Sequence, residues 1–546
     1  MATNVLKWNP GDPVPYNGGK DLTRYDFPDG FLFGGATASY QVEGAYDKDR
    51  RGVSNWDDWS LMHPGKVAEG GNGTLAIDHY NRVKEDIRLL KQTGLDTYRF
   101  SISWCRILPG GKFSTGVNPD GIKFYSDLID LLIKEKIEPI VTIFHFEVPK
   151  CLGDEYGGFL NRRIVDDYAK YAEVCFQAFG DRVKIWTTIN EPSTFTTLGY
   201  VNASFPPGHG TPPDELPHKV VLHRCHPDTD KTCHSTGNEA TEPYIVAHHL
   251  ILAHATAVRI YREKYQAVQG GKIGIVVVPN SWYFPYSDKK EDKEACERAI
   301  EFLLGWFVQP LVSGEYPESM QKRVKERLPK FSDKEKEMVT GSYDYIGLNY
   351  YTTMWARYRK KQPDDPINYH TDQEVEFLVI SFSSYLNVYI YIQVGSEWLY
   401  FVPIGIYDLL TYAKRKYNDP VIYITENGCS EKNVKNLPIH LLLADDFRIK
   451  YHQEHLAYLK LAIDTARVNV KGYVVWSILD NYEWAAGYTV RFGMYFVDYL
   501  NGLNRYPKKS AIWYMNFLNK KKLMGPKDRE VEDITEEAAG KKKRKY

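Results

Sequence analysis

Apolar residues gather along this chain in runs of strand length, and eight such runs recur between more polar stretches. They are "FLFGGATA" (31–38), "DTYRFSIS" (96–103), "EPIVTIFHF" (138–146), "VKIWTTINE" (183–191), "KIGIVVVPN" (272–280), "YDYIGLNYY" (343–351), "PVIYITENG" (420–428) and "VKGYVVWSI" (470–478). Between most of them the spacing changes to apolar residues three and four apart, which predicts helices over 78–94, 121–136, 162–180, 242–265 and 445–466. Strand alternating with helix predicts parallel strands joined by crossover helices, and eight units close a single (β/α)8 barrel with extended βα loops. No Gly-rich phosphate fingerprint, which would favour a dinucleotide fold, follows the first strand.

In such a barrel the chemistry gathers at the C-terminal ends of the strands. Those ends are polar here: Arg99, His145, Asn190 with Glu191, Asn349 with Tyr351, Glu426 with Asn427, and Trp476. A lone Glu after a strand is more often a cap or an ion-pair partner, a lone His a satisfied core residue, a lone Trp packing, and a lone Arg a structural ion pair. Two glutamates, each beside an asparagine at a strand end, change that balance. Glu191 breaks a good strand at "TINEP" and Glu426 ends "ITENG". Paired carboxyl groups facing one cavity suit glycoside hydrolysis, where one protonates the departing oxygen and the other meets the positive charge developing on the anomeric carbon.

Composition narrows the partner. With 69 Lys plus Arg against 70 Asp plus Glu among 546 residues, the chain has no broad field for nucleic acid or an anionic membrane, so a neutral small molecule is the expected ligand. The seven cysteines are scattered without metal-ligand spacing, and neither a metal nor a cofactor is expected. Only Cys225 and Cys233, bracketing "CHPDTDKTC", are placed to close a loop by a disulfide if the compartment allows it. Residues 1–25 read as a flexible lead-in without a secretory signal, and 26–520 as the barrel. Residues 521–546 read as a disordered charged tail, whose "KKKRK" (Lys541–Lys545) reads as a nuclear-localisation signal for an import receptor, placing the protein in nucleus or cytoplasm. The uncharged "FLVISFSSYLNVYIYI" (377–392) is too short and too rich in serine for a membrane span and reads as strand or hairpin.

With the residues assembled, the resemblance is to glycoside hydrolase family 1. "SYQVEGA" (39–45), "YRFSISW" (98–104), "TINEP" (188–192), "LNYYT" (348–352), "ITENG" (424–428) and "WSILDNYEW" (476–484) are similar to its signature motifs and occur in family order. The resemblance implies a retaining β-glucosidase, with Glu191 as general acid/base and Glu426 as nucleophile, assisted by Arg99, Tyr351 and Asn349. It implies a sugar pocket of Gln41, His145, Asn190, Glu483 and Trp484 over the ring of Trp476, with Phe492 beside it. The carboxylate of Glu483 argues against a 6-phosphorylated sugar. An intact Glu191, where related thioglucosidases carry glutamine, favours O-glucosides. "GSEWLYFVPIGIYDLL" (395–410) resembles the stretch that carries an aglycone-gating tryptophan in the plant alkaloid-glucoside glucosidases of the strictosidine, raucaffricine and ipecac types, which makes Trp398 the aglycone platform and a monoterpenoid alkaloid glucoside the first substrate class.

Alternatives stay open at this point: another aglycone, phenolic or iridoid; transglucosylation; a catalytically impaired sugar-binding relative; a homo-oligomer. The chain also departs from the family pattern. "HWD" is "HFE" at 145–147, which puts the orientation of His145 in question through the longer Glu147. "GRGPSIWD" is "RRGVSNWD", which places Val53 and Asn55 where proline and an apolar residue are usual. The 377–392 segment reads either as a hydrophobic wall for a greasy aglycone or, preferably, as a misplaced exon boundary.

Overall fold

A computed structural model describes residues 13–211, 237–278, 281–378 and 394–519. The eight runs form eight strands: β1 Leu32–Ala36, β2 Thr97–Ser101, β3 Glu138–Phe144, β4 Ile185–Asn190, β5 Lys272–Val277, β6 Tyr345–Asn349, β7 Ile422–Asn427 and β8 Val470–Val475. They pair in parallel in chain order, and β8 returns to β1 to close the barrel. Ile140, Ile185, Tyr345 and Tyr423 pack together within it, with Leu32 and Val421 against them.

The five expected helices are present as α1 His79–Thr93, α2 Pro119–Lys134, α3 Arg163–Phe179, α4 Glu242–Lys264 and α5 Asp446–Ala466. Local chemistry explains their ends. In α2, Asn118 caps the Asp120 amide and Pro119 sits where a missing N–H costs nothing, while Tyr125, Leu128, Ile129 and Leu132 form the buried face. Between α4 and α5, the stretch that follows Trp398 is helical from Ile404 to Lys416, with its apolar residues at 406, 409, 410 and 413 all buried.

Outside the barrel, Ser281–Pro285, Thr352–Tyr358 and Val375–Leu378 make a three-stranded sheet. The apolar 377–392 segment thus enters as strand, with Phe377 paired to Ala356 and its ring 4.8 Å from that of Tyr283. The remainder of that segment, the Cys225–Cys233 pair and the 521–546 tail lie outside the described residues. Of the lead-in expected to be loose, residues 13–25 are held on the barrel: Tyr16 donates to Asp464 on α5 at 2.5 Å, Leu22 is buried, and Arg24 pairs with Asp96 at 3.0 Å. Among the described residues no helix is long and apolar enough to cross a membrane, and no His, Cys, Asp or Glu cluster could hold a metal ion.

Candidate active site

The strands stop pairing regularly where the polar residues begin. The β4–β5 register shifts between Thr187 and Asn190, the β6–β7 register between Ile424 and Glu426, and the β7–β8 register between Ile422 and Ile424 and again between Ile424 and Asn427. Such irregularities re-aim side chains. Glu191 completes the break: its backbone is left-handed (φ 43°, ψ 61°), and Pro192 opens the helix Pro192–Tyr200 directly after it. The proline ends the strand and starts the helix, leaving the glutamate at the corner.

Two carboxyl groups stand in contrasting surroundings. Buried Arg99 on β2 donates through Nη1 to Glu426 Oε1, and Tyr351 donates to Glu426 Oε2 at 2.6 Å. Burial, with the charge of Glu426 next, holds the Tyr351 phenol far above its usual range, so it stays a donor. Glu191 makes no ion pair among the described residues, and the Arg99 charge is only the smallest of the influences on it. Its Oε1 accepts from Asn349 Nδ2 at 2.7 Å, and Thr194 supplies a second hydrogen bond. Burial first, and the negative charge of Glu426 second, push the Glu191 carboxyl up to about 8.

The amides between them are oriented by their own bonds. Asn349 Oδ1 accepts from Thr425 Oγ1 at 2.7 Å, which turns its NH2 toward Glu191 and toward Asn190 Oδ1 (3.2 Å). Asn190 Oδ1 also accepts from Arg99 Nη2 at 2.6 Å, so its NH2 faces His145 Nε2 at 3.2 Å. His145 is held neutral, its imidazole far below its usual range through burial and the nearby Arg99 charge. With Nε2 accepting, Nδ1 carries the proton, and it is buried with no protein partner.

Around this centre the rings of Trp476 and Trp484 lie nearly parallel to His145, at 6.1 and 5.9 Å. Glu483, pushed up to about 8 by burial first and by the charges of Glu426 and Glu191 next, accepts from Trp476 and from Gln41 Nε2 at 3.3 Å. Gln41 Nε2 also donates to Asn481 and to the Tyr482 carbonyl, leaving Gln41 Oε1 buried and free. Trp398 and Phe492 stand edge-on to Tyr351, at 5.6 and 6.2 Å.

Ten of the sequence-derived residues therefore line one pocket: His145, Asn190, Glu191, Tyr351, Trp398, Glu426, Trp476, Glu483, Trp484 and Phe492. Gln41, Arg99 and Asn349 are buried beside this lining; Arg99 and Asn349 act through their hydrogen bonds, and Gln41 keeps its Oε1 unengaged. Sequence reasoning missed Phe146, Thr194, Leu198 and Phe205, which complete the wall. Thr194 and Leu198 had a usable signal, being three and seven residues beyond Glu191 and so on one face of the helix it opens. Phe205 had none.

The two departures are accommodated locally. Glu147 leaves His145 alone: its carboxylate turns to Ser39, Ser103 and Arg51. Asn55 donates to the Phe146 carbonyl at 3.2 Å and accepts from the Val148 amide at 2.9 Å, clamping the loop in which Phe146 is left-handed (φ 70°).

Residues 23–523 match the model of the family described as Glycosyl hydrolase family 1. The chain belongs to that family. Among relatives, this family 1 chain is 53% identical over 503 residues to oleuropein β-glucosidase of Olea europaea, covering 91% of this chain and 90% of the relative. It is 45% identical over 537 residues to raucaffricine-O-β-D-glucosidase of Rauvolfia serpentina, covering 97% and 98%. Among solved structures, a rice β-glucosidase Glu→Gln mutant in a covalent complex with Glc superposes with a TM-score of 0.84 at 44% identity, over 91% of this chain and 100% of that one. The activity of this family 1 chain is that of a β-glucosidase acting on small-molecule glucosides.

Proposed function

We propose that the chain is a retaining β-glucosidase in which Glu426 is the nucleophile and Glu191 the general acid/base. The observation that carries this is the contrast between the two carboxyls in one pocket. Glu426 is ion-paired with Arg99 and fixed by Tyr351, whereas Glu191 is buried, makes no ion pair among the described residues and keeps its proton near neutrality. In the first step Glu426 attacks the anomeric carbon while Glu191 gives its proton to the departing oxygen. The charge then lost from Glu426 removes a cause of the high Glu191 value, and Glu191, now the base, takes a proton from water as the water oxygen bonds to the anomeric carbon, the bond to Glu426 breaks and glucose is released. The amide of Asn190, oriented by Arg99 and Asn349, is the donor for the sugar 2-hydroxyl, and the Trp476 face takes the apolar side of the ring.

The aglycone meets Trp398, Phe492, Phe205 and Leu198, an apolar wall suited to a large hydrophobic leaving group. Oleuropein heads the substrate reading, on the 53% identity; an alkaloid glucoside of the raucaffricine or strictosidine kind is the second, supported by the 45% identity and by the placement of Trp398 in the pocket. The deciding experiment is kcat/KM on a panel of oleuropein, raucaffricine, strictosidine, an ipecac-type glucoside and a nitrophenyl glucoside. A preference for the nitrophenyl compound over every natural glucoside would refute the apolar-aglycone reading. For location, nuclear import through Lys541–Lys545 is proposed on the basic cluster alone. A fluorescent fusion that stays in place when the five residues become Ala or Gln would refute it.

A further inference from the structure

The carboxylate of Glu147 is buried behind the pocket wall, yet its partners come from three other segments of the chain. One oxygen accepts from Ser103 Oγ at 3.0 Å and Arg51 Nη2 at 3.2 Å; the other accepts from Ser39 Oγ. Ser39 opens the short helix Ser39–Val42, which carries Gln41, while Glu147 itself follows His145 by two residues. Gln41 and His145 each have one buried polar atom left over, Oε1 and Nδ1, after their remaining atoms are engaged by Asn481, Tyr482, Glu483 and Asn190. Two polar atoms on separate segments read the orientation of a sugar hydroxyl only if the distance between the segments is held.

We propose that Glu147 is a positioning residue: through Ser39 it clamps the Gln41 helix to the loop after β3, and so fixes the spacing of Gln41 and His145 by which glucose is told from its epimers. This rests on the reading of the pocket as a glucose site.

Removing Glu147 outright takes from buried Arg51 one of its two carboxylate partners, leaving Asp57 and the carbonyls of Tyr46 and Gly52, and threatens folding. Ser39→Ala is the gentler variant: it deletes the hydroxyl that donates to Glu147 and accepts from Ser101 Oγ at 3.0 Å, while the Ser39 amide keeps its bond to Ser101 Oγ at 2.7 Å. With nitrophenyl β-glucoside and β-galactoside, Ser39→Ala is expected to raise glucoside KM about tenfold, roughly one lost sugar hydrogen bond, with kcat within about twofold. The glucoside-to-galactoside ratio of kcat/KM falls by a similar factor. Ser39→Thr restores both, and Ser103→Ala, which loosens the same carboxylate without touching the Gln41 helix, changes neither. An unaltered ratio in Ser39→Ala overturns the proposal, as do equal shifts in Ser39→Ala and Ser103→Ala that track loss of Tm. Calorimetric titration of glucoside separates the two levels of inference. A wild-type protein that binds glucoside without cleaving it refutes the catalytic reading, and the Kd ratios of the variants then test the clamp; a wild-type protein that does not bind glucoside refutes both.

Discussion

Replacing Glu191 by Gln tests the acid role with little disturbance of the site, because the glutamine carbonyl can still accept from Asn349. A carboxyl raised to about 8 is about nine-tenths protonated at pH 7, against about three in a thousand at its ordinary 4.5, so its surroundings multiply the available acid roughly 300-fold. The sign follows from the direction of the shift: the acid form is present below the raised value, and activity that needs it falls as pH rises through about 8. The variant has no proton to give. For glucosides with alkyl leaving groups, kcat/KM for Glu191→Gln is expected to drop by about 10² to 10⁴, the range of general acid catalysis, whereas nitrophenyl glucosides, which leave without assistance, lose far less in glycosylation. The assay is kcat/KM against pH for both substrate types in both proteins. Equal losses for the two leaving groups would falsify the assignment of Glu191 as the acid. Since Glu483 is raised to a similar value, an alkaline limb that survives in Glu191→Gln belongs to Glu483.

Glu426→Gln should abolish turnover while glucoside binding stays measurable by titration; unchanged turnover would remove Glu426 as nucleophile. The same substitution deletes the second cause of the raised Glu191 value, so the Glu191 carboxyl should titrate lower in Glu426→Gln than in the wild type, as read by isotope-edited infrared spectroscopy. Trp398→Ala removes roughly 60 Å² of apolar contact with a bulky aglycone, about 1.5 kcal/mol or about a tenfold rise in KM, with nitrophenyl glucoside affected less. If both substrates shift together, Trp398 is packing and not a platform. Asn55→Ala strips two hydrogen bonds from the Phe146–Val148 backbone and should cost about 1–3 kcal/mol by denaturant unfolding, and an unchanged midpoint would show that water replaces the clamp.

Periodicity along the chain is enough to predict the barrel and the side on which its polar strand ends gather. Eight apolar runs separated by helical spacing leave few other architectures, and because parallel strands place all their C-terminal ends on one side, the polar residues ending β2, β3, β4, β6 and β7 had to meet. That inference needed only periodicity and chain direction. What it could not contain was anything set by distance between segments far apart in the chain. Glu191 and Glu426 are the same residue type, each flanked by asparagine; only the fold pairs Arg99 with one and leaves the other buried without an ion pair among the described residues, and the proposed division into nucleophile and acid rests on that asymmetry. The register shifts that aim both side chains depend on how neighbouring strands pair, which no single strand encodes. Residues 13–25 look unstructured because proline and glycine punctuate them, yet they are held by Asp464 and Asp96, partners supplied by the folded barrel. Glu147 and Asn55 look like defects in familiar motifs when read along the chain. In the folded protein each finds its partners across loops, because hydrogen bonds answer to the geometry that tertiary packing creates and not to spacing in sequence.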